Sequence, residues 1–251
     1  SDLRSIAYEK AGIMKAGSRA ITAPQDPEVM EVLQRAAAVR GATLVEAEQL
    51  WRIAEGERGA MTLVSGIDPD RRMENLALSL HGRHQRMNAA LAVAAAPRLP
   101  NFHEKISEEA IRRGLAETVW PGRCEVVQEK PTLLLDGAHN PASARVLRHF
   151  LLENYVSRGK KVVMVFGAMQ DKDVGGIMEI LFPCAQQIFL ARAETPRAAD
   201  PMVLETLARR FHPSVVRAPG LDAALAAARF AAGPDGVVCV TGSLYLVGDA
   251  K

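Results

Sequence analysis

From Arg123 to Thr241 the chain alternates short apolar runs with segments of helical periodicity, and this alternation constrains the fold more than any other feature. Strand patterns fall near residue 126 and at 132–136, 161–166, 187–190, 214–217 and 237–241. Helical patterns lie between them, ending near residues 154, 181, 211 and 232. Parallel strands need a long crossover where antiparallel ones need only a turn. Strand–helix repetition therefore predicts an α/β unit with a mostly parallel sheet and helices on its faces. The run Thr132-Leu133-Leu134-Leu135 lacks polar alternation, as expected of a strand buried on both sides.

The first 120 residues read differently. A strand at 20–22 precedes a helix opened by Asp26-Pro27, running to residue 40 and closed by Gly41. Between 43 and 80, short alternating stretches broken by Glu55-Gly56, Arg58-Gly59 and Asp68-Pro69 predict hairpins. Helices return over 84–96 and 107–118, the second with Ser107 as cap but Ala110 where a capping box needs an acid. Trp120-Pro121-Gly122 divides the chain into domains at 1–120 and 121–251.

Composition removes several classes of function. Thirty-one basic and 29 acidic residues leave a net charge of +2, with the arginines spread along helices, so no basic stripe offers itself to nucleic acid or an anionic membrane. No apolar run reaches the roughly 18 residues of a membrane span. Cys124, Cys184 and Cys239 are widely spaced, without zinc or redox spacing, and read as buried thiols in a cytoplasmic protein.

Chemistry concentrates in Asp136-Gly137-Ala138-His139-Asn140-Pro141, with Trp120-Pro121-Gly122-Arg123 ending 13 residues before the aspartate. Asp136 closes a predicted strand, and Asn140-Pro141 has the form of an N-cap followed by proline at the first helical position. Ligands of open α/β sheets bind beyond strand carboxyl ends, so a carboxylate, an imidazole and a guanidinium around this turn suit a nucleotide. Taken singly, Asp136 reads equally as a helix cap, His139 as a turn residue and Arg123 as a surface partner of Glu125. On the helix at 84–96, His84, Gln85 and Asn88 share one face.

Four more segments accompany these two: Ile6-Ala7-Tyr8-Glu9-Lys10-Ala11-Gly12-Ile13, Gly82-Arg83-His84-Gln85-Arg86-Met87-Asn88-Ala89-Ala90, Phe166-Gly167-Ala168-Met169-Gln170-Asp171-Lys172-Asp173 and Val240-Thr241-Gly242-Ser243-Leu244-Tyr245-Leu246-Val247-Gly248. In this order the set resembles the folylpolyglutamate and dihydrofolate synthases of the Mur ligase superfamily. The resemblance implies the last part of a P-loop ATPase-type domain followed by a Rossmann-like, mostly parallel C-terminal domain. It also implies an enzyme using ATP and Mg2+ to phosphorylate a folate or dihydropteroate carboxylate, which the amino group of L-glutamate then attacks.

Carried over residue by residue, Asn88 resembles the adenine contact, Arg123 the phosphate contact and Asp136 the ribose contact. Lys10 resembles a carbamylated lysine that ligates magnesium, and His139 a catalytic histidine near the phosphates. Asp171, Lys172 and Ser243 fall where substrate is expected, although Asp171-Lys172-Asp173 also reads as a solvated charge cluster. The family's phosphate loop ending Gly-Lys-Ser/Thr is expected before the Lys10 motif and does not occur in these residues, so the expectation is a piece of a longer enzyme, inactive by itself. A monomer is expected. Competing readings are a ligase adding amino acids to UDP-linked sugars, and a noncatalytic module binding nucleotide or glutamate.

Overall fold

The computed structural model describes residues 2–57, 60–99 and 106–251. They form two compact units, one running through residue 79 and resuming over 83–118, the other holding 80–82 and 119–251.

The first unit opens with α1 (Leu3–Ala11), β1 (Arg19–Thr22), α2 (Pro27–Arg40) and β2 (Thr43–Glu46). Pro27 starts α2, and Gly41 ends it in left-handed backbone with its N–H on the Ala37 and Ala38 carbonyls. β1 and β2 are parallel, with Arg19 opposite Thr43 and Thr22 opposite Glu46. This corrects the hairpin expected from residue 43: the intervening helix returns the chain to the start of β1, so β2 runs alongside it. The antiparallel pattern begins only after α3 (Ala47–Leu50), in the meander of β3 (Trp51–Glu55), β4 (Met61–Ser65) and β5 (Arg72–Leu76). The turn expected at Arg58-Gly59 lies outside the described residues.

α4 (Arg83–Ala95) packs Ala90, Val93 and Ala94 against Trp51, Leu63 and Leu76 of that meander. α5 (Glu108–Glu117) is capped by Ser107, whose side chain accepts from the Ala110 N–H. Only half of a capping box forms, because Ala110 has no polar side chain to return the bond.

The second unit contains β6 (Glu125–Glu129), β7 (Thr132–Leu135), α6 (Pro141–Asn154), β8 (Val162–Phe166), α7 (Val174–Leu181), β9 (Gln187–Leu190), α8 (Pro201–Ala208), β10 (Val215–Arg217), α9 (Leu221–Ala232), β11 (Val237–Thr241) and α10 (Leu244–Asp249). Its six strands lie in the order β10-β9-β8-β11-β7-β6, all neighbours parallel except β6 with β7. β7, β8 and β11 are buried along their whole lengths, which explains their unbroken apolar character. Each Leu or Val taken fully from water there contributes roughly 1.5–3 kcal/mol.

α8 stops at Ala208 rather than continuing to residue 211. The Arg210 and Phe211 amides bond three residues back, to Leu207 and Ala208, tightening the chain out of the helix.

Two apolar layers flank this sheet. Leu147 of α6, Ile177 of α7 and Leu204 of α8 join one, with Val162, Met164 and Phe166 of β8. Leu225 of α9 and Leu246 of α10 join the other, with Val163 and Val165. Alternate β8 residues point to opposite faces, so the helices following the neighbouring strands β8 and β11 leave on opposite sides of the sheet. Such a divergence opens a crevice at the strand carboxyl ends.

Candidate functional site

β7 and β11 are parallel neighbours, with Leu135 opposite Val240, so Asp136 and Ser243 follow strand ends on the same edge of the sheet. The Asp136 N–H donates to the Val240 carbonyl at 3.0 Å. Its carboxylate turns inward and is only 7% exposed. Oδ2 accepts from the Cys124 amide at 2.9 Å and from the Cys124 thiol at 3.4 Å, while Oδ1 accepts from the Ala138 amide at 2.9 Å. Burial pushes this carboxyl above the usual range, against the opposing pull of those bonds and of the Arg123 charge. Asp136 thus ties the turn before β6 to the turn after β7.

The two turns also meet through glycines. The Gly137 amide donates to the Gly122 carbonyl at 2.8 Å, and a Cβ on Gly137 would stand 2.2 Å from the Leu244 side chain. The Gly122 amide donates to Glu125 Oε2 at 2.9 Å, while Glu125 Oε1 receives Lys251 Nζ at 2.6 Å. Glu125 therefore pairs with Lys251 and not with Arg123. The guanidinium of Arg123, half-buried, has neither a hydrogen bond nor an ion pair among the described residues. A cation left in that state is ready for an external anion.

His139 follows in the same turn, with Nδ1 2.8 Å from the Gly137 carbonyl. A carbonyl only accepts, so Nδ1 carries the hydrogen and Nε2 is left as the acceptor of the neutral ring. The backbone N–H groups of His139 and Asn140 both donate to Ser143 Oγ, and Asn140 Oδ1 accepts from the Ser143 amide at 2.8 Å. Ser143 thus completes a reciprocal capping box in place of the usual Glu, which is why the sequence pattern showed the cap but not its return bond.

Ser243 is 1% exposed and caps α10, accepting from the Tyr245 amide at 3.1 Å. The neighbouring Thr241 hydroxyl is buried without a hydrogen-bond partner; nothing in the apolar pattern of β11 had singled it out. In the loop after β8, Asp171 sits between Lys172 at 2.9 Å and Arg197 at 3.1 Å. These two cations, Lys172 first, bring its carboxyl down to about 2. Asp173 instead caps α7 through the Gly176 amide at 3.0 Å. The charges of 171–173 are thus engaged locally, as a solvated cluster and a cap.

The remaining site residues lie in the first unit. Lys10, in the last turn of α1, is exposed, with its ammonium 3.7 Å from Glu9. Asn88 is exposed on α4 and donates to the buried Gln85 at 2.8 Å, so these two do share a helix face. The site residues divide between the units: Lys10 and Asn88 in the first, Arg123, Asp136, His139, Asp171, Lys172 and Ser243 in the second. Among the described residues, no group of three His, Cys, Asp or Glu side chains is placed to hold a metal ion. A carbamate on Lys10 would add one ligand where no others converge, so these residues alone do not fit a magnesium site. All three cysteines are free and buried, as expected. No described helix is long and apolar enough to cross a membrane.

Residues 122–244 match the family described as Mur ligase, glutamate ligase domain. The dihydrofolate synthase/folylpolyglutamate synthase of Bacillus subtilis is 32% identical over 251 residues, 99% of this chain and 57% of that protein. Its namesake in Escherichia coli is 32% identical over 249 residues, 98% of this chain and 54% of the relative. Among solved structures, the Mycobacterium tuberculosis folylpolyglutamate synthase complexed with ADP aligns with a TM-score of 0.85 at 29% identity, covering 100% of this chain and 58% of that one. E. coli FolC in complex with DHPP and ADP gives 0.85 at 28% identity, covering 99% and 56%. The chain spans little more than half the length of these relatives. Residues 122–244 thus belong to the glutamate ligase domain of the Mur ligase family, and the chain as a whole is similar to these synthases.

Proposed function

We propose that this chain is part of an ATP-dependent ligase that joins L-glutamate to a folate or dihydropteroate carboxylate. The observation that carries the reading is the Arg123 guanidinium, without a hydrogen bond or ion pair among the described residues, beside the Asp136–His139 turn at the strand ends where an α/β sheet takes its ligand. In the reaction, the carboxylate oxygen takes the terminal phosphoryl group of ATP, giving an acyl phosphate and ADP. The glutamate amine then attacks the carbonyl carbon, the amide forms, and phosphate departs with the former carboxylate oxygen.

Each residue of this chain has a defined part. Arg123 forks onto a phosphate with charge-assisted bonds, and His139 immediately precedes the N-cap of α6, whose N-terminus favours anions. Asp136 Oδ2 is taken by the Cys124 amide and thiol, whereas Oδ1 accepts one backbone N–H and keeps a lone pair for a ribose hydroxyl. Asn88 offers an amide already oriented by Gln85 to the adenine edge. Ser243, with Lys172 and Asp171 in the loop after β8, lies at the carboxyl-end edge that would receive glutamate. Lys10 is the residue whose amine, as a carbamate, would supply an oxygen ligand to magnesium, the other ligands coming from elsewhere in the complete protein. The reading entails a cytoplasmic monomer acting on small molecules rather than on nucleic acid or membrane, in keeping with the balanced charge.

The test is glutamate-dependent ADP release by the complete protein with dihydropteroate, tetrahydrofolate or a UDP-sugar as acceptor. Release with a pteridine acceptor is expected. Release only with the UDP-sugar, or none despite nucleotide binding, would replace this reading with one of its competitors.

A further inference from the structure

Two non-glycine residues among those described have positive φ, Asn75 at 55° and Cys124 at 48°. Asparagine enters this region readily, whereas cysteine meets the usual clash of its Cβ with the backbone. Something must hold Cys124 there. Its amide and its thiol both donate to Asp136 Oδ2, at 2.9 and 3.4 Å, and the residue is 1% exposed. Burial and the neighbouring carboxylate push the thiol well above its ordinary range, so it persists as an S–H donor and not as a nucleophile.

On the other side of Arg123, Gly122 is also left-handed, at φ 70°, and is pinned at both its amide and its carbonyl. Arg123 thus stands between two fixed left-handed residues, while its own side chain has no hydrogen bond or ion pair among the described residues to orient it. For such a side chain, the backbone alone sets the direction of departure.

We propose that Cys124 is a positioning residue whose left-handed backbone, held on Asp136, aims Arg123 at the nucleotide phosphate. The inference rests on the nucleotide reading given under Proposed function. The apolar pattern around β6 gives no hint of it, because by sequence Cys124 is simply one more buried thiol.

The test is made in the complete protein, by steady-state kinetics of Cys124→Val, Cys124→Ala and Cys124→Ser, with Arg123→Ala as reference and a thermal melt of each. Cys124→Val opposes the left-handed backbone and removes the donor; it is expected to raise the ATP KM about fivefold or more, leaving kcat and the glutamate KM within about twofold. Cys124→Ser keeps a donor and should restore the ATP KM to within about twofold of the parent. If Cys124→Val does not fold, Cys124→Ala carries the test with an expected rise of about threefold. An unchanged ATP KM in the Ala variant, or a fall in stability with no split between the two KM values, overturns the positioning role while Arg123→Ala still raises the ATP KM. An unchanged ATP KM in Arg123→Ala itself would show instead that the nucleotide reading has failed.

Discussion

Replacing Asp136 with alanine removes the acceptor for two buried backbone donors at once. The Cys124 and Ala138 amides both point at this carboxylate, at 2.9 Å, from residues 1% and 0% exposed. Each buried donor left unsatisfied costs ~1–3 kcal/mol. Relief of the carboxylate's own desolvation, and a water admitted to the vacated space, offset part of this. The net loss expected for Asp136→Ala is ~2–4 kcal/mol, or roughly 4–16 °C in melting temperature for a chain of this size. Urea unfolding followed by circular dichroism measures it, and a loss below about 1 kcal/mol would refute the clamp.

The pH dependence adds a sign. Burial raises this carboxyl above its unfolded value near 3.8, so its stabilising contribution is fully present below that value and is lost as pH rises through the higher folded one. The gap between the parent and Asp136→Ala should therefore widen as pH falls from about 7 toward about 4. A narrowing gap would mean that the two amide bonds outweigh burial.

Gly242→Ala should destabilise more than Gly137→Ala: the new Cβ at 242 would meet the Gly167 carbonyl at 2.6 Å with φ at 103°, whereas at 137 it meets the Leu244 side chain, which is free to move. Equal losses on urea unfolding would contradict this. Asp171→Ala should lower the neutral-pH melting temperature only slightly, the pair being exposed, and the difference should vanish in acid; with a folded value of about 2, below the ordinary 3.8, the carboxylate stabilises above that ordinary value and loses its effect as pH falls from 3.8 to about 2. Arg123→Ala should barely alter stability while costing ~1.5–3 kcal/mol in ATP use by the complete protein, read as kcat/KM for ATP. Lys10→Ala in the complete protein should lose activity that added bicarbonate does not restore, and full activity would exclude the carbamate.

The strand–helix alternation from residue 123 onward determined the parallel sheet, because an unbroken apolar strand such as Thr132–Leu135 is stable only with both faces covered. The caps at Asn140 and Ser107 were likewise legible, since the side-chain oxygen and the amide it satisfies lie within one turn of sequence. β2 was not: its alternation fits either kind of pairing, and only the placement of α2 made it a parallel neighbour of β1. Motif order marked Arg123, Asp136 and His139 as belonging together, but not what each would touch. That Glu125 pairs with Lys251, leaving Arg123 without a hydrogen bond or ion pair among the described residues, depends on a contact spanning 126 positions. That Cys124 bonds Asp136 depends on the antiparallel pairing of β6 with β7, which brings residues 12 apart into register. Local periodicity encodes burial and helix ends, whereas long-range register decides which polar groups are satisfied within the fold and which stay free for a ligand.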